Sequence, residues 1–97
     1  MKIKEETALT HAKITYLFDD IYLLQFEDDY EVELNDVIQV DETFINIVGN
    51  NKFSVILDTR NKYSSITNEA RQFFAIDPNI LPLRKKIAIV VNSTFAS

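Results

Sequence analysis

Few side chains in this 97-residue chain are of a type and spacing that could do chemistry. Asp58 and Arg60 close a short apolar run. Thr67, Asn68, Glu69 and Arg71 open the helical pattern that follows, with Phe74 one turn further on. A carboxylate, guanidinium groups and helix N-terminal amides at the end of a strand suit a docking surface or a site for a small anion, a carboxylate or a phosphate. The same residues also suit local duties, with Asp58 tying down a loop, Thr67 capping the helix and Glu69 offsetting its dipole or pairing with an arginine. Phe73 and Phe74 are adjacent on one helix and cannot both fill the same core position. The second either packs in the core or turns toward a groove or partner. Ser64, Ser65 and Thr67 are hydroxyls that accept phosphate in principle, but loop and cap duties are the expected account of them.

Other constellations are excluded by type or spacing. The acidic turns at Asp19-Asp20 and Glu27-Asp28-Asp29 lack the glycine and bidentate glutamate spacing of a calcium loop, and they fall at opposite ends of one strand. They read as solvated turns. Asp41 and Glu42 diverge on a helix, the wrong geometry for a shared acid/base pair, and are expected on the surface. His11 is the only histidine and stands in a polar stretch without a nucleophile or second ligand, so it is expected to be exposed and supports neither a triad nor a metal site. One glycine rules out glycine-rich phosphate loops, and the absence of cysteine rules out disulfides, thiol nucleophiles and cysteine zinc sites. The expectation is a non-enzyme with no catalytic residues, no cofactor and no metal.

Ten basic against fifteen acidic residues give a net charge of -5, and the only compact basic cluster is Arg84-Lys85-Lys86. Such a chain repels phosphate backbones, so no nucleic-acid partner is expected. The charged N-terminus is unlike a signal peptide, and no apolar run is long enough to span a membrane. A cytoplasmic protein is expected. The length allows one domain, residues 1–97, with a 46% hydrophobic composition sufficient for a single core.

The elements that must position these residues follow from hydrophobic period. Residues 14–18 and 21–26, β-branched and aromatic, flank Asp19-Asp20 and predict a hairpin. Aspartates are poor at the positive φ of a two-residue turn, so the loop is expected to borrow Phe18 or Ile21. Tyr30, Val32 and Leu34 alternate with Glu31 and Glu33, predicting a short extended segment at a sheet edge. The period then changes to predict a helix over 36–48, with Asn35 as N-cap and Gly49 as C′ residue. Residues 53–57 read as a central buried strand, 67–75 as a second helix ended by Asp77-Pro78, and 87–91 as another fully apolar strand. Asn92 or Ser93 looks like the cap of a further helix. The fold class is α/β: a mixed sheet with an N-terminal β-hairpin followed by α-β-α-β, helices mainly on one face, after a lead-in of residues 1–12.

The stretches Ser54-Val-Ile-Leu-Asp58-Thr-Arg60, Ser65-Ile66-Thr67-Asn68-Glu69-Ala70-Arg71-Gln-Phe73-Phe74 and Ala88-Ile-Val-Val-Asn92-Ser93 resemble the SpoIIAA-like (STAS-type) small domains of bacteria, from about residue 13 to the end. That resemblance implies a protein-interaction or regulatory module with a protein partner, working through the helix at 67–75 and the loop before it. Small-ligand or lipid binding is the alternative it implies. Members of that family continue with a helix, a short strand and a last helix. On this basis the chain is incomplete at its C-terminus, and a homo-oligomer covering the exposed face is a further expectation. The family's phosphorylation switch carries Asp-Ser-Ser-Gly where this chain has Thr67-Asn68-Glu69-Ala70. Asn68 stands at the acceptor position, so that switch is not implied here.

Overall fold

Runs of β-branched and aromatic residues build most of the strands, and two amphipathic segments build the helices. The computed structural model describes residues 5–60 and 65–90. In chain order the elements are β1 (Glu6–Ala8), β2 (Ala12–Phe18), β3 (Ile21–Phe26), β4 (Glu31–Val32), α1 (Leu34–Val48), β5 (Phe53–Asp58), β6 (Ser65–Ile66), α2 (Asn68–Ile76) and β7 (Arg84–Val90). They form a mixed five-stranded sheet in the order β1-β2-β3-β5-β7 and a two-stranded sheet of β4 and β6. The α/β class with a hairpin and two crossovers is as the sequence predicts. Among the described residues no helix is long and apolar enough to cross a membrane.

The hairpin closes on Asp19 and Asp20 alone, both at positive φ (51° and 58°). Phe18 pairs with Ile21 and Tyr16 with Tyr22, so Leu17 is an extra residue on β2. The turn therefore borrows neither neighbour. A bulge absorbs the misfit instead.

Parallel pairing of β3 with β5 and of β5 with β7 places Ile56 opposite Ala88 and Leu57 opposite Ile89. Right-handed crossovers through α1 and α2 put both helices over one face. There Tyr22, Leu24, Phe53 and Val55 meet Val40, Phe44 and Val48 of α1, with Phe74 of α2 packed against the same cluster. Phe44 stacks on Phe53 with centroids 4.9 Å apart, and Tyr22 meets both rings edge-on. A smaller cluster of Val32, Val37 and Ala70 joins α1 to α2 beneath the β4–β6 pair.

Several expectations are corrected. The lead-in contains β1, whose residues Glu6, Thr7 and Ala8 pair antiparallel with Thr15, Ile14 and Lys13. The alternating segment near Tyr30 is only two residues of strand and belongs to the second sheet, with β6 as its parallel partner. Helix α1 starts earlier than 36, with Glu33 rather than Asn35 as N-cap, because the Asp36 carboxylate reaches back to the Glu33 N–H at 2.8 Å. Gly49 ends it at φ 64° and ψ -119°, a positive-φ conformation that favours glycine but not the left-handed helical one expected. Asp41 is not on the surface. It follows Val37 by four residues and precedes Phe44 by three, in phase with the apolar stripe, and is 2% exposed. Finally, among the described residues β7 pairs on one side only, and Ile87 and Ile89 are not enclosed. The expected helix from 92 or 93 lies outside the described residues.

Candidate functional site

The end of β5 is held by a side-chain knot. The Arg60 Nε and Nη2 groups donate to Asp58 Oδ1 and Oδ2 at 2.9 and 3.0 Å, the Arg60 backbone N–H donates to Oδ1 at 3.1 Å, and Gln25 Nε2 to Oδ2 at 3.2 Å. Asp58 is buried, and its hydrogen bonds from Arg60 hold the carboxyl well below the usual range against the opposing effect of burial. Of the predicted surface, this structure brings Asp58 and Arg60 together as each other's partners.

The rest of that surface divides. Thr67 caps α2, its Oγ1 accepting from the Ala70 N–H at 3.2 Å, and so performs the local duty. Asn68, Glu69 and Arg71 lie exposed on the first turns of α2. Phe74 turns inward, half-buried in the core, with the Arg84 guanidinium 4.8 Å over its ring and Arg84 Nη2 donating to its carbonyl at 2.9 Å. Phe73 joins the smaller cluster, so the two rings serve neighbouring parts of the interior. Ser64 lies outside the described residues.

Two arrangements went unseen in the sequence. In the first, Asp41 of α1 and Asp77, after α2, are buried carboxyl residues near Arg84 of β7. Neither Asp41 carboxyl oxygen has a hydrogen-bond partner among the described residues. Burial, then the nearby Asp77, push Asp41 up to about 8, with the positive charge of Arg84 opposing. The signal was the helical phase of residue 41. In the second, the ring of His11 stacks on Tyr30 at 4.1 Å while its Nδ1 meets Glu27 at 2.9 Å. The Tyr30 hydroxyl donates to Asp36 at 2.7 Å, and burial followed by that bond pushes its pKa up to about 12. His11 is thus half-buried rather than free, and it stitches the β1–β2 connection to the segment before α1.

A cleft of about 240 Å³ lies beside the Asp58 knot, walled by Phe26, Val32, Leu57 and Ile66. It is somewhat smaller than the roughly 300–1,000 Å³ of ordinary ligand pockets. Among the described residues no group of three or more His, Asp or Glu side chains is placed to hold a metal.

Among the described residues the β7 edge is left unpaired. Ile87 is 38% and Ile89 59% exposed, and Ile76 and Leu81, on the way into the strand, are 66% and 46% exposed. Thr59 N–H donates to the Val90 carbonyl at 2.8 Å, which fixes the parity of the strand: Lys86, Ala88 and Val90 direct their backbone groups to β5. Those of Ile87 and Ile89 point outward.

No curated protein and no solved structure matches the chain. Residues 15–97 match a family described as a domain of unknown function, DUF7793, and with that match spanning β3 to β7, both helices and all but the first residues of the β2 hairpin arm, the chain belongs to that family.

Proposed function

We propose that this protein is a non-enzymatic interaction module of STAS type that receives an extended, acidic segment of a partner protein along the β7 edge. The observation that carries this reading is the edge itself, a seven-residue strand with outward amide and carbonyl groups and two exposed isoleucines. Sheets expose such edges at a risk of unwanted pairing, and an added strand is the usual occupant. The occupant's charge is argued from Lys85 and Lys86, both exposed, at the start of β7 in a chain of net charge -5. The order of hairpin, helix, parallel strand, helix and parallel strand supports the STAS-type reading. Exposed apolar side chains cluster along β7 and the segment leading to it, so the contact lies there rather than on the Asn68, Glu69 and Arg71 turns of α2.

Photo-crosslinking in the source cells tests this, with p-benzoylphenylalanine replacing Lys85. The expected product is a covalent adduct with a second protein, mapped by mass spectrometry to an acidic, strand-forming segment. Ile89→Pro removes an outward N–H without touching the β5 ladder and should abolish the adduct, whereas Arg71→Glu should leave it. Adducts only within the chain or with a second copy, or an adduct that survives Ile89→Pro, would overturn the proposal.

A small-ligand role is the second reading, favoured by the apolar cleft beside Asp58. Its size suits a compact ligand or a short apolar chain.

A further inference from the structure

At the opposite edge of the sheet, away from β7, a second cleft of about 320 Å³ opens between β1, β2 and the last turns of α1. Its walls are of two kinds. Ile14, Ile47 and the rings of Tyr16 and Tyr22 give an apolar and aromatic lining, while Glu5 and Glu6 bring carboxylates to the rim. The registers explain the assembly: Tyr16 pairs with Tyr22 across the hairpin, and the Tyr16 N–H donates to the Glu5 carbonyl at 2.9 Å, so Glu5 and the two tyrosines fall at one level of the sheet. The rings stand 5.2 Å apart at 68°.

Three observations say what this cleft would hold. First, Tyr22 is 8% exposed, yet its hydroxyl has no hydrogen-bond partner among the described residues, and the residue lines the cleft. The hydroxyl itself is not fully enclosed, so it is free to meet a ligand group in the cleft. Second, the described residues bring negative charge to the cleft. None of its described lining residues is basic, α1 ends here with no basic residue in its last turn, and Asp20 and Glu5 both act on the Tyr22 hydroxyl, adding to burial in raising its pKa. Lys13 reaches the Glu6 carboxylate at 3.7 Å, which leaves Glu5 as the uncompensated carboxylate at the rim among the described residues. Third, two aromatic rings beside carboxylates form the kind of surface that selects an alkylated ammonium over a hydrated metal ion. The rings and isoleucines take the alkyl groups, and the ring quadrupoles and carboxylates take the charge.

We infer that the Tyr16–Tyr22–Glu5 cleft is a binding site for a small organic cation, an alkylated ammonium group. The charge faces the two rings and Glu5, and a hydroxyl or other acceptor on the ligand meets Tyr22. This site is independent of the β7 edge.

Titration of the whole chain with choline, followed by backbone amide shifts in NMR, tests it. Saturable shifts are expected at Glu5, Glu6, Thr7, Tyr16 and Tyr22, with 3,3-dimethylbutan-1-ol, the neutral isostere, about ten-fold weaker. Tyr16→Leu should weaken choline by about ten-fold and Tyr16→Phe by less than about two-fold, because the phenylalanine ring keeps its quadrupole. An unchanged amide spectrum outside the cleft shows each variant folded. Phosphatidylcholine vesicles distinguish the source: co-sedimentation lost in Tyr16→Leu puts the ammonium on a lipid headgroup, and choline binding without co-sedimentation puts it on a free solute. No saturable shift at about 100 mM choline, equal binding of the neutral isostere, or undiminished binding by folded Tyr16→Leu would overturn the inference.

Discussion

Asp41 and Asp58 are both buried carboxyl residues, and pH acts on them in opposite directions. Asp41 is raised from its ordinary value to about 8 by burial and by Asp77, so its contribution to stability is complete below pH 4 and is lost as pH rises through 8. Asp41→Asn keeps the shape and carries no charge at any pH. Thermal unfolding should therefore show the variant close to the parent at pH 5 and more stable at pH 9, by on the order of a few kcal/mol. Asp58 is lowered, chiefly by its hydrogen bond from Arg60, so its contribution is present above the ordinary aspartate range and is lost as pH falls below it. Asp58→Ala removes the acceptor of four hydrogen bonds and should cost about 1–3 kcal/mol in urea denaturation at pH 7. Arg60→Ala should cost less, because its side chain is 61% exposed. The capacity of Asp58 to tie down its loop was legible in the sequence, since an aspartate closing an apolar run has that task available. The burial of Asp41 was missed because an aspartate next to a glutamate was assigned to solvent on charge alone. The spacing from Val37 through Asp41 to Phe44 and Val48 is the stripe of one helix face and places it inside.

At the scale of elements, local chemistry set what could be read. The hairpin, α1, β5 and α2 are long runs with one clear period, and each is found where that period puts it. Element β1 is three residues, Glu-Thr-Ala, without a period to detect, and it is a strand because β2 offers it a partner. For β7 only the apolar half was legible: the strand begins at Arg84 rather than 87, and it lies at an edge. An apolar run of strand length is the same in a central strand and at an edge exposed on one side, and only pairing decides. The Tyr16–Tyr22 contact depends on the Leu17 bulge, since an unbulged two-residue turn pairs Tyr16 with Leu23. The turn itself carries a prediction. Asp20 sits at φ 58°, so Asp20→Gly should stabilise the protein by about 0.4–1 kcal/mol, read from the urea midpoint. In α2, Thr67→Ala should cost about 1 kcal/mol through loss of the cap.

The whole molecule is a sheet with two different ends. The β1 end carries glutamates beside an aromatic cleft, and the β7 end carries lysines beside exposed isoleucines. Both helices cover one face, and their apolar stripes are spent on the strands between those ends. The functional reading follows from what that arrangement leaves open, and it depends most on the β7 edge being free to pair. Amide hydrogen exchange at single-residue resolution tests this directly. Ile87 and Ile89 should exchange at least about a hundred-fold faster than Ala88 and Val90, whose N–H groups face β5. Equal protection of Ile87, Ala88, Ile89 and Val90 in the isolated protein would mean that the edge is already paired, and would contradict the account.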